Sequence, residues 1–389
     1  MNYILFDDKR EKLLPLTFTR PVCELRIGIL TIREKWETVL KASSSTLTVE
    51  YLRTKYPLVS SSDNVLINGG ICPDSALVSA ISELGKEQRL VKNGKLLALK
   101  TSENPLSMNL SSKEGIEFEG NILSVENPWD IFSKNGQALE ADFQLITARR
   151  NSVKLSDSNT VIGNGTVFLE EGAKAEACIF NTSTGSIYLG KNAEVMEGSI
   201  VRGPFALCDG AQVKMGAKIY GPTTIGPESR VGGEVNNSVI IGYSNKGHDG
   251  FLGNSVIGEW CNLGADTNNS NLKNNYDEVR VWSYESGRFA KTGLQFCGLI
   301  MGDHSKSGIN TMFNTGTVVG VSANVFGAGF PRTFIPSFSW GGAAGFSEYE
   351  AEKAFATAQR VMERRGKTFD DVERSILSSV FDLTKGYRN

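Results

Sequence analysis

The sequence predicts a three-part chain: an α/β domain, a left-handed parallel β-helix and a pair of C-terminal helices. Three observations predict it. Leu189, Val195, Val201, Leu207, Val213, Ile219, Ile225 and Val231 recur at every sixth position without a break. The 41 glycines concentrate after residue 160, against 11 prolines in the whole chain, as a turn-dense second half requires. Beyond Gly341 and Gly342 the pattern turns helical.

The expected boundaries are 1–150, 151–340 and 341–389. In the first part NYILF and NVLING read as strands, and LVSAISELGKE reads as an amphipathic helix. RIGILTIREKWETVLK reads as strand or helix, with its Glu/Lys-rich end helical. In the second part a period of six fits neither a helix nor a simple two-sided strand. It fits a coil with three flat faces, one hexapeptide per face. The aliphatic anchor points inward, and a mostly small residue four positions later (Ala193, Ser199, Ala211, Ala217) fills the corner. The pattern returns at Ile257 and Leu263, and again at Met301, Ser307, Phe313, Val319 and Val325. It slips within 236–250 and is broken by the polar run 266–294; such insertions often carry the binding face of a solenoid. In the third part Ser347 and Glu350 are spaced as a capping box, and Thr368 and Asp371 open a second helix through Leu383.

Composition narrows the function. Lys+Arg is 41 against Asp+Glu 43, so no global positive field favours nucleic acid. Nowhere do 18 apolar residues run together, so no membrane span is expected. The start, MNYILFDDKREKLLP, does not read as a secretory signal. Six scattered cysteines without a close pair read as reduced thiols, which agrees with a cytoplasmic protein.

Chemistry-bearing residues cluster where the repeat slips. The chain has two histidines, His248 and His304. His248 lies in a polar, glycine-flanked segment between Lys246 and Asp249. An imidazole near neutral pKa suits a base that strips an acceptor amine or hydroxyl during acyl transfer. His304 reads as a structural corner residue held by a corner hydrogen bond, with a contact to acceptor or cofactor as the alternative. Among the coils, NKGHDGFLGNSVIGEWCNLGADTNNSN resembles the acetyltransferase half of GlmU-type enzymes, which make UDP-N-acetylglucosamine from glucosamine-1-phosphate. Over its whole length, with GLQFCGLIMGDHSKSGINTMFNTGTVVG and FPRTFIPSFSWGG, the chain resembles the Bacteroidetes-type GlmU-like sugar nucleotidyltransferases. Leu14-Pro15-Leu16-Thr17-Phe18-Thr19-Arg20-Pro21 resembles the segment that follows the glycine-rich loop of sugar-phosphate nucleotidyltransferases. Here Phe6-Asp7-Asp8-Lys9-Arg10 precedes it, with no glycine, and Val22 stands where the family has a lysine.

The resemblance implies a set of roles. His248 is the catalytic base. Lys246, Phe251, Asn262, Asn271 and Lys273 contact the acceptor, Phe251 replacing a family tyrosine. Tyr220 and Ser238 stand at the family's phosphate-binding arginine and lysine, so the identity of the sugar stays open. Gly298, Gly308 and Gly320 let the pantetheine of acetyl-CoA approach, and Arg332 meets a CoA phosphate. Arg10, Thr17 and Arg20 are the nucleotide-binding candidates, with Mg²⁺ needed only if nucleotidyl transfer is retained. The implied assembly is a homotrimer. Three functions remain open: acetyl transfer to a sugar phosphate or nucleotide sugar, sugar-1-phosphate nucleotidyl transfer on a trimerising scaffold, and non-catalytic binding.

Overall fold

The computed structural model describes residues 1–110 and 114–388. The N-terminal part is built on a six-stranded mixed sheet. Asn2–Phe6 runs parallel to Ser44–Leu47 on one side and to Asn64–Asn68 on the other. Lys95–Thr101 then pairs antiparallel with Asn64–Asn68. NYILF and NVLIN are near-continuous apolar runs because a parallel pair in mid-sheet is covered on both faces. Helix α1 (Ile32–Leu40) opens with a capping box: Thr31 Oγ1 accepts from the Glu34 amide, and Glu34 Oε2 accepts from the Thr31 amide. Helix α2 (Ser75–Ser82) is capped by Asp74, and α3 (Asp130–Ser133) leads into α4 (Asn135–Thr147).

The chain then winds into a three-sided parallel β-solenoid. The first face holds nine strands from Val167–Leu169 to Phe334–Ile335. The second holds ten, from Lys174–Ala175 to Gly345–Glu348, the last pair antiparallel. The third holds six, from Thr160–Ile162 to Phe251–Gly253, and is continued by Asn268–Asn269 beside Met312–Phe313. Every anchor of the sixfold series is buried in one column-lined core. The slip near 240 is a shortened coil: Ile225 pairs with Ile240, and Val231 with Lys246.

The polar insertion within 266–294 is not a free binding loop. Arg280–Ser283 and Arg288–Lys291 form a hairpin. Trp282 stacks on Phe334 at 4.2 Å between ring centres, and Tyr284 meets Phe18 edge-on at 5.2 Å. Tyr387 packs against both Tyr284 and Phe334. Aromatic burial makes the hairpin a bracket joining all three parts of the chain.

The N-terminal part lies along the first face of the prism. Ile29, Leu139 and Phe143 pack with Phe168, Tyr188, Ala206 and Cys208. Arg26 Nε donates to the Ile241 carbonyl at 3.2 Å, and Asn135 Nδ2 donates to Thr224 Oγ1 at 3.1 Å.

Beyond the prism, α5 (Ala351–Glu363) starts after Glu350 with no side-chain cap, because Ser347 is still in the final hairpin. Helix α6 (Asp371–Leu383) is capped by Asp370, whose carboxylate accepts from the Val372 and Glu373 amides, rather than by Thr368. The two helices pack beside Phe338 through Phe355 and Phe381. All six cysteines are free and buried. No helix among the described residues is long and apolar enough to cross a membrane.

Candidate functional site

His248 sits at the corner between the second and third faces, after the strand Asn245–Lys246 and before Phe251–Gly253. Its side chain is exposed, as is that of Asp249. Among the described residues its ring makes no hydrogen bond. The corner itself is fixed from inside. Lys246 does not face a substrate: it occupies the inward column between Val231 and Leu263 and is only 2% exposed. Its Nζ donates to the His248 carbonyl at 2.6 Å and to the Gly232 carbonyl at 3.1 Å. Burial pushes the Lys246 ammonium down to about 8, against the pull of Asp249 and Asp266. On the outer side the Asp266 amide donates to the Asp249 carbonyl at 3.0 Å. Lys246 is therefore a positioning residue for the histidine corner.

The expected acceptor residues are divided between faces. Phe251 follows His248 onto the third face. Asn271 lies past the far end of that face, where its Nδ2 donates to Asn254 Oδ1 at 2.8 Å. Lys273 is turned onto the Glu278 carbonyl at 2.8 Å. Asn262 is on the outer side of the second face, beside Asn245 and Lys306. Within one chain the Phe251 ring and the Asn271 amide both meet the space beside Gly253, while Asn262 lies on the second face.

Coil stacking explains two of the expected cofactor glycines. A Cβ on Gly298 would strike the Gly253 carbonyl and the Asn269 amide, and one on Gly320 would strike Ser337. Gly308 is less confined, with Phe326 its nearest neighbour. Gly298 and Gly320 are required by the next coil, so their small size is not evidence of a ligand. Arg332 is exposed and lies 5.1 Å over the Phe346 ring.

His304 is buried in a left-handed corner conformation, φ 61°, stacked beside Trp260 at 6.3 Å. Burial, reinforced by the Lys306 charge, holds its imidazole down to about 3. It stays neutral, and its buried Nδ1 has no hydrogen-bond partner among the described residues, so the corner hydrogen bond expected of it is not made by that atom.

The three nucleotide candidates are committed to protein partners. Arg10 binds the Thr17 carbonyl and Tyr51 Oη, the latter at 3.0 Å, and Thr17 Oγ1 donates back to the Arg10 carbonyl at 2.8 Å. Arg20 crosses into the prism. It pairs with Asp303 and, at 3.2 Å, with Glu259, while Thr19 Oγ1 donates to Asp303 at 2.6 Å. Burial opposes the Arg20 charge, but the two carboxylates outweigh it and hold the guanidinium protonated. This segment clasps the two domains together; the sequence reading missed that role because Asp303 is remote in sequence.

A cavity of about 660 Å³ lies in the N-terminal part among α1, α4 and residues 72–75 and 121–123. Its walls are mainly apolar, with the buried Lys35–Asp142 ion pair at one side. It is remote in the fold from the histidine corner. Among the described residues no group of three or more His, Cys, Asp or Glu side chains is placed to hold a metal ion.

With this geometry in view, the relationships to known proteins fall into place. Residues 3–151 match the sugar nucleotidyl transfer family model, described as "Sugar nucleotidyl transferase". The chain is 26% identical over 226 residues to a bifunctional sugar-1-phosphate nucleotidylyltransferase/acetyltransferase of Sulfurisphaera tokodaii, covering 57% of this chain and 49% of the relative. It is 31% identical over 207 residues to a bifunctional protein GlmU of Methanocaldococcus jannaschii, covering 53% and 44%. The chain thus spans about half the length of the curated relatives it matches. Among solved structures, the Francisella novicida UDP-N-acetylglucosamine acyltransferase aligns with a TM-score of 0.35 at 12% identity, over 60% of this chain and 78% of that one. The class is a nucleotidyltransferase-type α/β domain joined to a hexapeptide-repeat β-helix. More particularly, the chain is similar to bifunctional GlmU-type proteins over about half of their length.

Proposed function

We propose that the protein is an acetyl-CoA-dependent N- or O-acetyltransferase acting on a sugar phosphate or nucleotide sugar, with His248 as general base. The observation that carries this reading is the contrast between the two histidines. His304 is buried and held neutral, whereas His248 is exposed on a corner anchored by Lys246. A thioester is already activated, so the chain needs to supply a base and a binding surface rather than a covalent nucleophile. The relatives' names, which pair nucleotidyl and acetyl transfer, support the same class of substrate.

The proposed assembly is a cytoplasmic homotrimer. The first face is covered by the N-terminal part and part of the second by the end of α5, which leaves the third face and the rest of the second for neighbours. Ile162, Ile179 and Ile200 form an exposed apolar strip on the third face that suits such a contact. A neighbouring chain is then needed to complete the acceptor pocket around His248, since Asn262 and Asn271 are on different sides of one prism. The donor's acetyl group would be presented at the same corner.

A second reading, nucleotidyl transfer by residues 1–150, is favoured by the family match over 3–151. It is weighed down by Asp7 and Asp8 where a glycine-rich phosphate cradle would be, and by the commitment of Arg10, Thr17 and Arg20 to protein contacts. The test is thiol release from acetyl-CoA with a panel of amino-sugar phosphates and nucleotide sugars. Turnover with at least one acceptor supports acetyl transfer; none across the panel, with pyrophosphate release from a nucleoside triphosphate and a sugar-1-phosphate, supports the second reading.

A further inference from the structure

The outer side of the second face carries a column of side chains in register: Arg230, Asn245, Asn262 and Lys306 on successive coils. The end of α5 and the residues after it fold over this column. Together they enclose a cavity of about 260 Å³, with Val361, Arg364 and Arg365 forming its roof. Four cations line it, and no carboxylate does. Asn245 and Asn262 add amides that donate and accept, and Tyr243 and Trp260, stacked at 4.3 Å, form one wall.

This charge is poorly compensated from within the protein. The Arg365 side chain is only 9% exposed. Its Nη2 donates to Asn245 Oδ1 at 2.9 Å, but its buried Nη1 has no hydrogen-bond partner. The nearest carboxylate, Glu228, is 3.7 Å away and half in solvent. Lys306 Nζ donates to the His304 carbonyl at 2.9 Å and has no carboxylate partner among the described residues. Burial and then the Arg230 charge depress both Arg365 and the adjacent Lys214. A buried guanidinium N–H left open, facing like charges, costs stability unless an anion completes the site.

We infer that this cavity is a binding site for the phosphate group of a small phosphate ester. Guanidinium forks match phosphate oxygens, and three arginines with a lysine converge here on one space. The cavity falls just below the size usual for whole cofactors, so it admits a phosphate and a small attached group. The aromatic wall and the two asparagines suit a sugar carbon framework with hydroxyls. The inference is independent of the acetyl-transfer reading, because it concerns binding and not turnover.

The experiment is calorimetric titration of the full chain with inorganic phosphate, in a buffer free of other oxyanions, for wild type, Arg365→Gln and Arg230→Gln. Each variant should weaken phosphate binding roughly 10- to 150-fold, the value of a charge-assisted hydrogen bond. Arg230→Gln should not lower the melting temperature of the unliganded protein, since it relieves repulsion among the cations, whereas Arg365→Gln gives up the bond to Asn245 and the Glu228 pair and its melt is measured alongside. Arg230 is on a rigid strand, so its variant reports on the site even if Arg365→Gln disturbs the roof. Competition by glucosamine-1-phosphate assigns the site to a sugar phosphate. Competition by adenosine 3′,5′-bisphosphate assigns it to the phosphates of a nucleotide cofactor. No phosphate binding by the wild type, undiminished binding in both variants, or phosphate binding with neither ester admitted would overturn the inference.

Discussion

Replacing Lys246 with Met tests the idea that a buried charge is kept to position the histidine corner. Met fills the column between Val231 and Leu263 without a charge. In the wild type, burial takes the ammonium from 10.5 to about 8. At 1.36 kcal/mol for each pH unit, the folded state bears about 3 kcal/mol for keeping it protonated at neutral pH. Lys246→Met removes that penalty and also removes two hydrogen bonds to carbonyls, so the variant should be more stable by about 1–3 kcal/mol in urea melts at pH 7. The pH dependence has a definite sign. A lysine whose folded pKa is lowered binds fewer protons folded than unfolded between about pH 8 and 10.5, so wild-type stability gains on the variant as pH rises through that window. Acetyl transfer should fall despite the added stability, because the His248 carbonyl loses its anchor. A variant that is destabilised at pH 7, with a stability gap independent of pH and unchanged turnover, would refute the reasoning.

Asp303→Asn should destabilise the chain by about 3–5 kcal/mol, measured by urea denaturation, because it leaves Arg20 buried with only Glu259 to oppose it. Pyrophosphate release from UTP or dTTP with a sugar-1-phosphate and Mg²⁺ should be weak or absent; robust release would return nucleotidyl transfer to the N-terminal part. His304→Gln should leave the pH dependence of acetyl transfer unaltered, since a histidine held down to about 3 does not change charge across the working range; a shifted profile would assign it a functional proton.

The interior of the prism was legible because its period is carried by aliphatic residues, and every such anchor is buried. Lys246 was misread as a ligand for want of one count: from Ile240, six residues lead to Lys246 and six more to Leu252, which marks the lysine as inward. The insertion was taken for a binding face on its polarity, yet Trp282 and Tyr284 within it were the sign of a packed element. Other features depend on contacts between remote segments. Nothing local to Arg20 points to Asp303, and nothing local to Arg365 points to Asn245. The segment Leu14–Pro21 carries its family pattern, but its polar side chains serve the domain seam. Capping signals were two residues astray at α6 and absent at α5, where the hairpin claims Ser347.

The central claim is that His248 is the base of an acetyl transfer. The direct measurement is steady-state turnover of acetyl-CoA with the best acceptor for wild type and His248→Ala, alongside their thermal melts. The side chain is exposed and contributes no core, so the melts should coincide. Turnover should drop about 10²–10⁴-fold, the usual worth of a positioned general base. Unchanged turnover in a folded His248→Ala protein would contradict the account.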